Sequence, residues 1–260
     1  MRGDQVTFFG VGDGWPCRDR NHSSTLYRLS GTALLVDCGE PISRSYAASR
    51  LSYDLIDRVL ISHMHGDHVG GFQMFIQSLW LKGRSRALKI HLPREGIAPL
   101  RKMLKTGYLF DELLKFKLGF TALAAGRKLK AETVNITAHP TRHLLRLRSA
   151  FHRQHRQPFE AFAFVLETSN VRIVHSADIE GPVDLEPLMN VPVNLLVCEL
   201  AHFKPVEIFR FLRGRAVRQV AFTHLSDTLW RQRAKLLSQA KKALPGIKVC
   251  IPIDGERLNL

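Results

Sequence analysis

The sequence predicts an α/β protein in which strands and helices alternate along the chain. Short apolar runs rich in β-branched residues, typical of buried strands, recur over most of its length. Segments with apolar residues at helical spacing lie between them. Interleaved strands and helices are the pattern of α/β architectures. With 260 residues, 45% hydrophobic and 23% charged, the chain has the composition of an ordinary globular protein.

Strand patterns precede or follow each predicted helix. The predicted strands are 6–9, 25–29, 33–37, 58–62, 89–92, 134–137, 161–168, 172–175, 195–199, 219–223 and 248–253. The predicted helices are 68–82, 95–105, 205–213 and 227–244. Pro205 suits the first turn of its helix, and the last helix has Ser226 or Asp227 as its N-cap and stops at Pro245-Gly246. We see no repeat, low-complexity tract or linker, and therefore expect one domain over residues 1–260.

The most informative segment is His63-Met64-His65-Gly66-Asp67-His68, which places three imidazoles and a carboxylate together. An apolar strand-like run precedes it and a helical pattern follows it. Gly66, Gly70 and Gly71 allow the backbone to turn at this strand-to-helix connection. Neutral imidazole and carboxylate are the donors that suit zinc and related transition metals. The segment therefore predicts a metal site.

Charge and cysteine usage restrict the partners and the compartment. The chain has 38 Lys and Arg against 23 Asp and Glu, a formal net charge of +15, and such a surface attracts polyanions. The cysteines are far apart and form no Cys-x-x-Cys, which disfavours a disulfide framework. No stretch has the length of a membrane span, and no secretory signal is visible. We therefore expect a cytoplasmic protein with no membrane partner.

His-x-His-x-Asp-His at the end of a strand resembles the signature of the metallo-β-lactamase superfamily of metallohydrolases. The resemblance implies a four-layer αβ/βα sandwich with two divalent metal ions at one edge of the sheets. Zinc is the default ion, and manganese or iron suits the same donors. The resemblance also implies that His63, His65 and His143 hold one ion, that Asp67, His68 and His224 hold the other, and that Asp178 bridges them.

The three later ligands are each placed after a predicted strand. His143 follows 134–137, Asp178 follows 172–175 and His224 follows 219–223. His139 competes with His143, since it lies nearer the strand end. Pro140 follows His139 immediately, whereas the family pattern leaves a short loop, so we favour His143. His175, inside a strand, is interpreted as a packed or supporting residue.

Three N-terminal elements narrow the resemblance to ribonuclease Z. They are the glycine-rich turn at 9–16, Arg20-Asn-His-Ser-Ser24 and Val36-Asp-Cys-Gly-Glu40. His202 falls where that family has the histidine that protonates the leaving oxygen, and Glu199 is placed to orient it. By the same resemblance Asp67 acts on the attacking water. The expected function is phosphodiester hydrolysis of RNA or another diester, and a homodimer is implied only by the resemblance.

The chain also departs from ribonuclease Z. His143 and Asp178 are separated by 178 − 143 = 35 positions, which is too short for the long arm that grips transfer RNA in bacterial ribonuclease Z. The basic stretch 142–156 remains, and we expect Arg146, Arg148, Arg153 and Arg156 to line or overhang the site. A phosphodiesterase for small cyclic nucleotides, a carbon ester, thioester or lactone hydrolase, and a non-catalytic nucleic-acid-binding domain remain as alternatives.

Overall fold

The strands form two sheets of seven strands each in the computed structural model, which describes residues 3–260. The strands are β1 Gln5–Gly10, β2 Ser24–Leu29, β3 Thr32–Val36, β4 Arg58–Leu60, β5 Leu88–Leu92, β6 Leu118–Ala122, β7 Lys128–Ala131, β8 Val134–Pro140, β9 Phe162–Glu167, β10 Arg172–His175, β11 Leu195–Glu199, β12 Gln219–Thr223, β13 Lys248–Cys250 and β14 Arg257–Asn259. The order is β14-β1-β2-β3-β4-β5-β6 in the first sheet and β13-β12-β11-β10-β9-β8-β7 in the second.

Helices cover the outer face of each sheet. They are α1 Ile42–Ala48, α2 Gly66–Val69, α3 Phe72–Leu81, α4 Arg94–Thr106, α5 Leu145–Phe151, α6 Pro205–Leu212, α7 Asp227–Arg231 and α8 Arg233–Ala243, with a 3₁₀ helix at Pro182–Leu188. Neighbouring side chains of β3 point to opposite faces, so Leu34 packs between the sheets and Leu35 packs under the helices. The layers are therefore helix, sheet, sheet and helix, and the expected αβ/βα sandwich is confirmed.

The elements that the sequence pattern did not predict are mostly partly exposed. β6, β7 and β14 each end a sheet, and few of their side chains are buried, so they lack the apolar run of a central strand. α5 likewise has no buried residue. The predicted helix 68–82 is divided at Gly70-Gly71 into α2 and α3, and 227–244 is divided into α7 and α8.

The fold brings the carboxyl ends of several strands to one edge of the sandwich. β3, β4, β5 and β6 run parallel in the first sheet, and β10, β11, β12 and β13 run parallel in the second. The loops after β4, β8, β10 and β12 carry the candidate metal ligands. Both sheets therefore contribute side chains to one site.

The structure can be compared with the predictions about membrane spans and disulfides over residues 3–260. Within residues 3–260, no helix is both long and apolar enough to cross a bilayer. The four cysteines, all described, are free thiols. The cytoplasmic location stays a prediction, and residues 1 and 2, at the start of the segment in which no signal was seen, lie outside the described residues.

Gly39 supports the histidine segment by close backbone contact. A Cβ atom at this position would lie 2.3 Å from the carbonyl oxygen of Asp67 and 2.7 Å from the backbone of His22. The Gly39 N–H also donates to the carbonyl of Ser23. Only glycine therefore allows the loop after β3 to lie against the segment that carries His65, Asp67 and His68.

Gly39→Ala should lower the stability of the protein by about 1–3 kcal/mol, because its Cβ atom must push Asp67 or His22 aside. For a domain of this size that corresponds to a fall in melting temperature of about 2–12 °C, measurable by thermal denaturation. Gly66→Ala is the matched control, since a Cβ atom there meets nothing within 4 Å. Equal melting temperatures for the two variants would contradict the packing argument.

Candidate metal centre

The segment from His63 to His68 leaves the end of β4 and enters α2. His63 and His68 are fully buried, and His65 is the extended residue that precedes α2. The amide of Cys38 donates to the carbonyl of His68 at 2.7 Å. This bond joins the histidine segment to the loop after β3 and holds the imidazoles at the carboxyl edge of the first sheet.

The structure brings the three later candidates to the same place. His143 follows β8, Asp178 follows β10 and His224 follows β12. His224 has a positive φ of 52°, and its amide donates to the carbonyl of Val11 at 2.8 Å. This bond connects the second sheet to the end of β1 and fixes the backbone that presents the last imidazole.

The buried carboxylate of Asp178 is central to the cluster. Its Oδ2 lies 3.8 Å from His63 Nε2, 3.6 Å from His143 Nε2 and 3.4 Å from His224 Nε2. Its Oδ1 lies 3.3 Å from His68 Nε2. One carboxylate therefore faces imidazoles on both sides.

Asp178 is shared by three groups of potential ligand atoms, two of which contain the predicted metal ligands, while the third consists of Asp178, Glu199 and His202. The first group is completed by His63, His65 and His143, and the second by Asp67, His68 and His224. Asp67 Oδ2 is 3.2 Å from His68 Nε2 and 3.7 Å from His224 Nε2. His143 Nε2 is 3.2 Å from His65 Nδ1.

These residues fit a divalent metal site. His63 Nε2 is buried with no hydrogen-bond partner in the described protein, and unpaired buried polar atoms are costly. Two tetrahedral ligands each about 2.0–2.2 Å from one ion lie about 3.4 Å apart. The donor separations of 3.2–3.8 Å agree with that value.

The protonation states in the first group suit metal binding. Burial lowers the pKa of His63 well below its usual range and that of His143 to about 4, which leaves a free lone pair on each ring. Burial opposes ionisation of Asp178, but His224 and His68 outweigh it and hold the pKa of this carboxyl well below its usual range. The carboxylate is therefore ionised.

In the second group, the protons on the imidazoles of His68 and His224 occupy the place where a metal cation would bind. Burial lowers the pKa of His68 and of His224, but nearby carboxylates reverse the effect. Asp178 and Asp37 raise the pKa of His68, and Asp178 raises that of His224 to about 9. Metal ligands bind deprotonated, so an ion would replace these protons and satisfy the same carboxylates.

Residues around the cluster orient its rings, and the sequence interpretation missed them. His68 Nδ1 donates to Asp37 Oδ2 at 2.7 Å, and Asp37 also accepts from the Ser62 hydroxyl at 2.9 Å. Ser23 Oγ lies 3.0 Å from His224 Nδ1. A carboxylate or hydroxyl on one ring nitrogen directs the other toward the ion. The sequence feature that could have identified Asp37 is its position directly after a buried strand, where a carboxylate can reach the site.

His202 and Glu199 lie beside Asp178. His202 Nδ1 is 2.8 Å from both carboxylate oxygens of Glu199, and its Nε2 is 3.9 Å from Asp178 Oδ2. Glu199 also accepts from the amides of Ile179 and Ala201. Burial lowers the pKa of His202, but the bond to Glu199 raises it above its usual value. The imidazole is held with Nε2 toward the cluster.

His143, rather than His139, lies in the cluster. β8 continues to Pro140, so His139 remains within the strand and pairs opposite Ala163. His175 is buried between the sheets, with Nδ1 2.7 Å from the hydroxyl of Tyr27. The end of β8 therefore decides between the two histidines: His139 lies within the strand, and His143 lies in the loop that follows it.

The basic stretch 142–156 leaves from the edge that carries the cluster. The amide of Thr141 donates to the carbonyl of Ala161, and the Thr141 hydroxyl donates to the carbonyl of Asp178. Thr141 and Ala161, which flank the basic stretch, therefore both lie near the cluster. Arg146, Arg148, Arg153 and Arg156 are exposed, and their contact with a substrate stays a prediction.

Comparison with known proteins identifies the family. The family described as "Anti-Pycsar protein Apyc1" matches residues 5–194. The chain belongs to that family. It is also 34% identical over 140 residues to a protein named ribonuclease Z from Methanothermobacter thermautotrophicus, and 29% identical over 223 residues to one from Shouchella clausii. The predicted relationship to the ribonuclease Z and phosphodiesterase branch is confirmed.

A solved structure supports the fold independently. The metallo-β-lactamase fold protein YhfI from Bacillus subtilis has a TM-score of 0.75 over the whole of both chains at 20% identity. The two ribonuclease Z matches cover 54% and 84% of this chain but 44% and 62% of the relatives. The chain thus spans less than two thirds of the length of each of these two relatives.

His143→Ala should lower the amount of divalent metal that copurifies with the protein, because one nitrogen of the first group is lost. His139→Ala is the matched control, and its metal content should equal that of the wild-type protein. Elemental analysis of both variants, with melting temperatures to exclude misfolding, measures the difference. A lower metal content in His139→Ala alone would transfer the ligand role to His139.

Proposed function

We propose that this protein is a dinuclear metal-dependent phosphodiester hydrolase similar to ribonuclease Z, acting on RNA or another phosphodiester. The observation that carries the proposal is the carboxylate of Asp178 between two groups of imidazole and carboxylate donors. The net charge of +15 favours a polyanionic substrate. The names of the curated relatives support the same reaction class.

Each residue of the cluster has a role in the proposal. His63, His65 and His143 would hold one ion, Asp67, His68 and His224 would hold the other, and Asp178 would be a ligand of both. Zinc is the expected ion, with manganese or iron as alternatives. When bound, two such ions make water a strong nucleophile near neutral pH and offset the charge on phosphoryl oxygens.

In this proposal Asp67 acts on the attacking water and His202 acts on the departing oxygen. His68 and His224 lower the pKa of Asp67 below its usual range against the effect of burial, so Asp67 is an ionised acceptor that can orient the attacking water. His202 donates its Nε2 proton to the departing oxygen. Glu199 holds His202 Nδ1 at 2.8 Å, which keeps that ring in position through the transfer.

A phosphodiesterase for small cyclic nucleotides is the second candidate. The short segment between His143 and Asp178 favours this candidate. It cannot form the arm that grips a folded RNA, and a small substrate does not need one. Hydrolysis of a carbon ester, thioester or lactone needs the metals but no basic surface. A non-catalytic nucleic-acid-binding domain needs no convergent set of seven ligands.

A substrate panel tests the proposed function. Protein loaded with zinc or manganese should cleave a chromogenic phosphodiester and an RNA, and should leave a thioester intact. A precursor transfer RNA and a cyclic nucleotide in the same panel separate the two phosphodiester candidates. Turnover of the thioester with no cleavage of any phosphodiester would reject the proposal.

His202→Ala should slow cleavage of a diester with a poor leaving group, such as RNA, by about 10²–10⁴-fold, because the departing alkoxide then receives no proton from the protein. Cleavage of a nitrophenyl diester should slow far less, since nitrophenolate leaves without protonation. The ratio of kcat values on the two substrates is the measurement. Equal losses on both would show that His202 positions the metals or the substrate instead.

A further inference from the structure

A loop between β1 and β2 is fixed at its base by hydrogen bonds. The amides of Val11 and Asn21 both donate to the carboxylate of Asp254, at 3.0 and 2.6 Å. The amide of Gly12 also donates to the carbonyl of Asn21 at 2.8 Å. These bonds bring the two ends of the segment 13–20 together. We call this segment the Trp15 loop.

Arg20 joins the Trp15 loop to α7. Its buried guanidinium donates to Cys17 Sγ at 2.9 Å and lies 3.4 Å from the carboxylate of Asp227. The same guanidinium lies 4.9 Å from the ring centroid of Trp230. Asp227 and Trp230 belong to α7, which follows His224. The loop is therefore held in one position against the helix that leaves the second ligand group.

The Trp15 loop runs along the border of the candidate metal centre. Gly12 forms a parallel β-bridge with Leu225, the residue after His224. A Cβ atom at Gly14 would lie 3.6 Å from Oδ2 of Asp67. His224 and Asp67 both belong to the second ligand group, so the loop lies beside that group at two separate points.

Trp15 leaves its side chain in solvent at this border. It directly follows Gly14, and because adjacent Cα atoms are about 3.8 Å apart, its Cα lies within about 9 Å of Asp67 Oδ2. Trp15 is 71% exposed, whereas Trp80 and Trp230 are partly buried. A large aromatic surface is thus presented to solvent beside the ligands.

A nucleobase is the chemical group that matches an exposed indole beside a phosphodiester centre. Every base has a flat π-face, and stacking on an aromatic side chain requires no particular base. A simple thioester or lactone offers no such face. Because the base of the Trp15 loop is already fixed, stacking orders little additional chain, and less conformational entropy is lost on binding.

We propose that Trp15 is a substrate-binding residue that stacks on the base of the nucleotide whose phosphodiester lies at the metal centre. The proposal rests on the proposed function, which it deepens by naming the residue that recognises the nucleoside part of the substrate. Since stacking tolerates every base, Trp15 distinguishes nucleotides from other diesters and does not select one base.

The test compares two substrates with the same leaving group. Thymidine 5′-(4-nitrophenyl) phosphate carries a nucleoside, and methyl 4-nitrophenyl phosphate carries a methyl group in its place. The measurement is the ratio of kcat/KM for the thymidine diester to that for the methyl diester. Trp15→Ala should lower this ratio by about 5- to 150-fold, the range for one base–aromatic stack. Trp15→Phe should recover most of the loss, since a phenyl ring also stacks.

Tyr108→Ala is the matched control. Tyr108 is another aromatic residue in solvent, 76% exposed. It lies two residues after the end of α4, whose 13 residues run for about 20 Å from the carboxyl end of β5. Its removal should keep the wild-type ratio. Melting temperatures of all three variants should equal that of the wild-type protein, because neither Trp15 nor Tyr108 is buried.

Indole fluorescence gives a measurement that does not depend on turnover. Thymidine 5′-monophosphate added to the zinc-loaded protein should quench the emission of Trp15, and methyl phosphate should not. Trp15→Phe should remove most of the quenching while the nucleotide still binds, as measured by calorimetry. A wild-type ratio of kcat/KM in Trp15→Ala, or full quenching in Trp15→Phe, would overturn the proposal.

A role in protein association gives a different result. If Trp15→Ala changes the oligomeric state in light scattering and keeps the wild-type ratio of kcat/KM, the indole belongs to an interface between copies of the chain, and the stacking assignment falls.

Failure of the proposed function is also distinguishable. If the zinc- or manganese-loaded protein cleaves no phosphodiester but thymidine 5′-monophosphate still quenches Trp15, the stacking assignment stands and the hydrolase assignment falls. If both diesters are cleaved and Trp15→Ala keeps the wild-type ratio, the hydrolase assignment stands and the stacking assignment falls.

Discussion

The burial of Asp178 among imidazoles is the constraint on which the rest of the site depends. An ionised carboxylate in the interior is tolerated only with positive charge or hydrogen bonds around it. Asp178 has His63, His143 and His224 on one oxygen and His68 on the other. The loops that deliver the imidazoles must therefore meet at one point, which accounts for the close backbone contact at Gly39 and the positive φ of His224. Loops that carry these residues tolerate little displacement.

Much of the fold could be predicted because its central strands are buried on both faces. β3 and β11, for example, are buried at every residue and apolar at all but one, and the change from strand to helical spacing is visible in the sequence. β6, β7 and β14 could not be predicted in this way, since they owe their pairing to one neighbour and leave polar side chains in solvent. Their positions depend on the sheet rather than on their own composition.

The candidate site likewise contains residues that the local sequence identifies and residues whose contacts depend on the fold. The segment from His63 to His68 is contiguous and was evident from residue types alone. Asp178 and His224 were placed by their positions after strands, together with the family resemblance. Asp37 and Ser23 lie within the family elements 36–40 and 20–24, but their contacts with His68 and His224 were not predicted, because each supports a ring that is distant in sequence. The choice of His143 over His139 as a ligand likewise depends on the structure, because only the structure gives the length of β8.

The origin of the ligands from both sheets has a thermodynamic consequence. His63, His65, Asp67 and His68 belong to the loop after β4 of the first sheet, whereas His143, Asp178 and His224 follow strands of the second. An ion held by both sets acts as a cross-link between the two halves of the sandwich. Because such an ion binds the folded chain far better than the unfolded one, its free energy of binding adds to that of folding, by about 2.7 kcal/mol at a hundredfold excess over Kd. Metal supply would then set the lifetime of the folded protein as well as its catalytic competence.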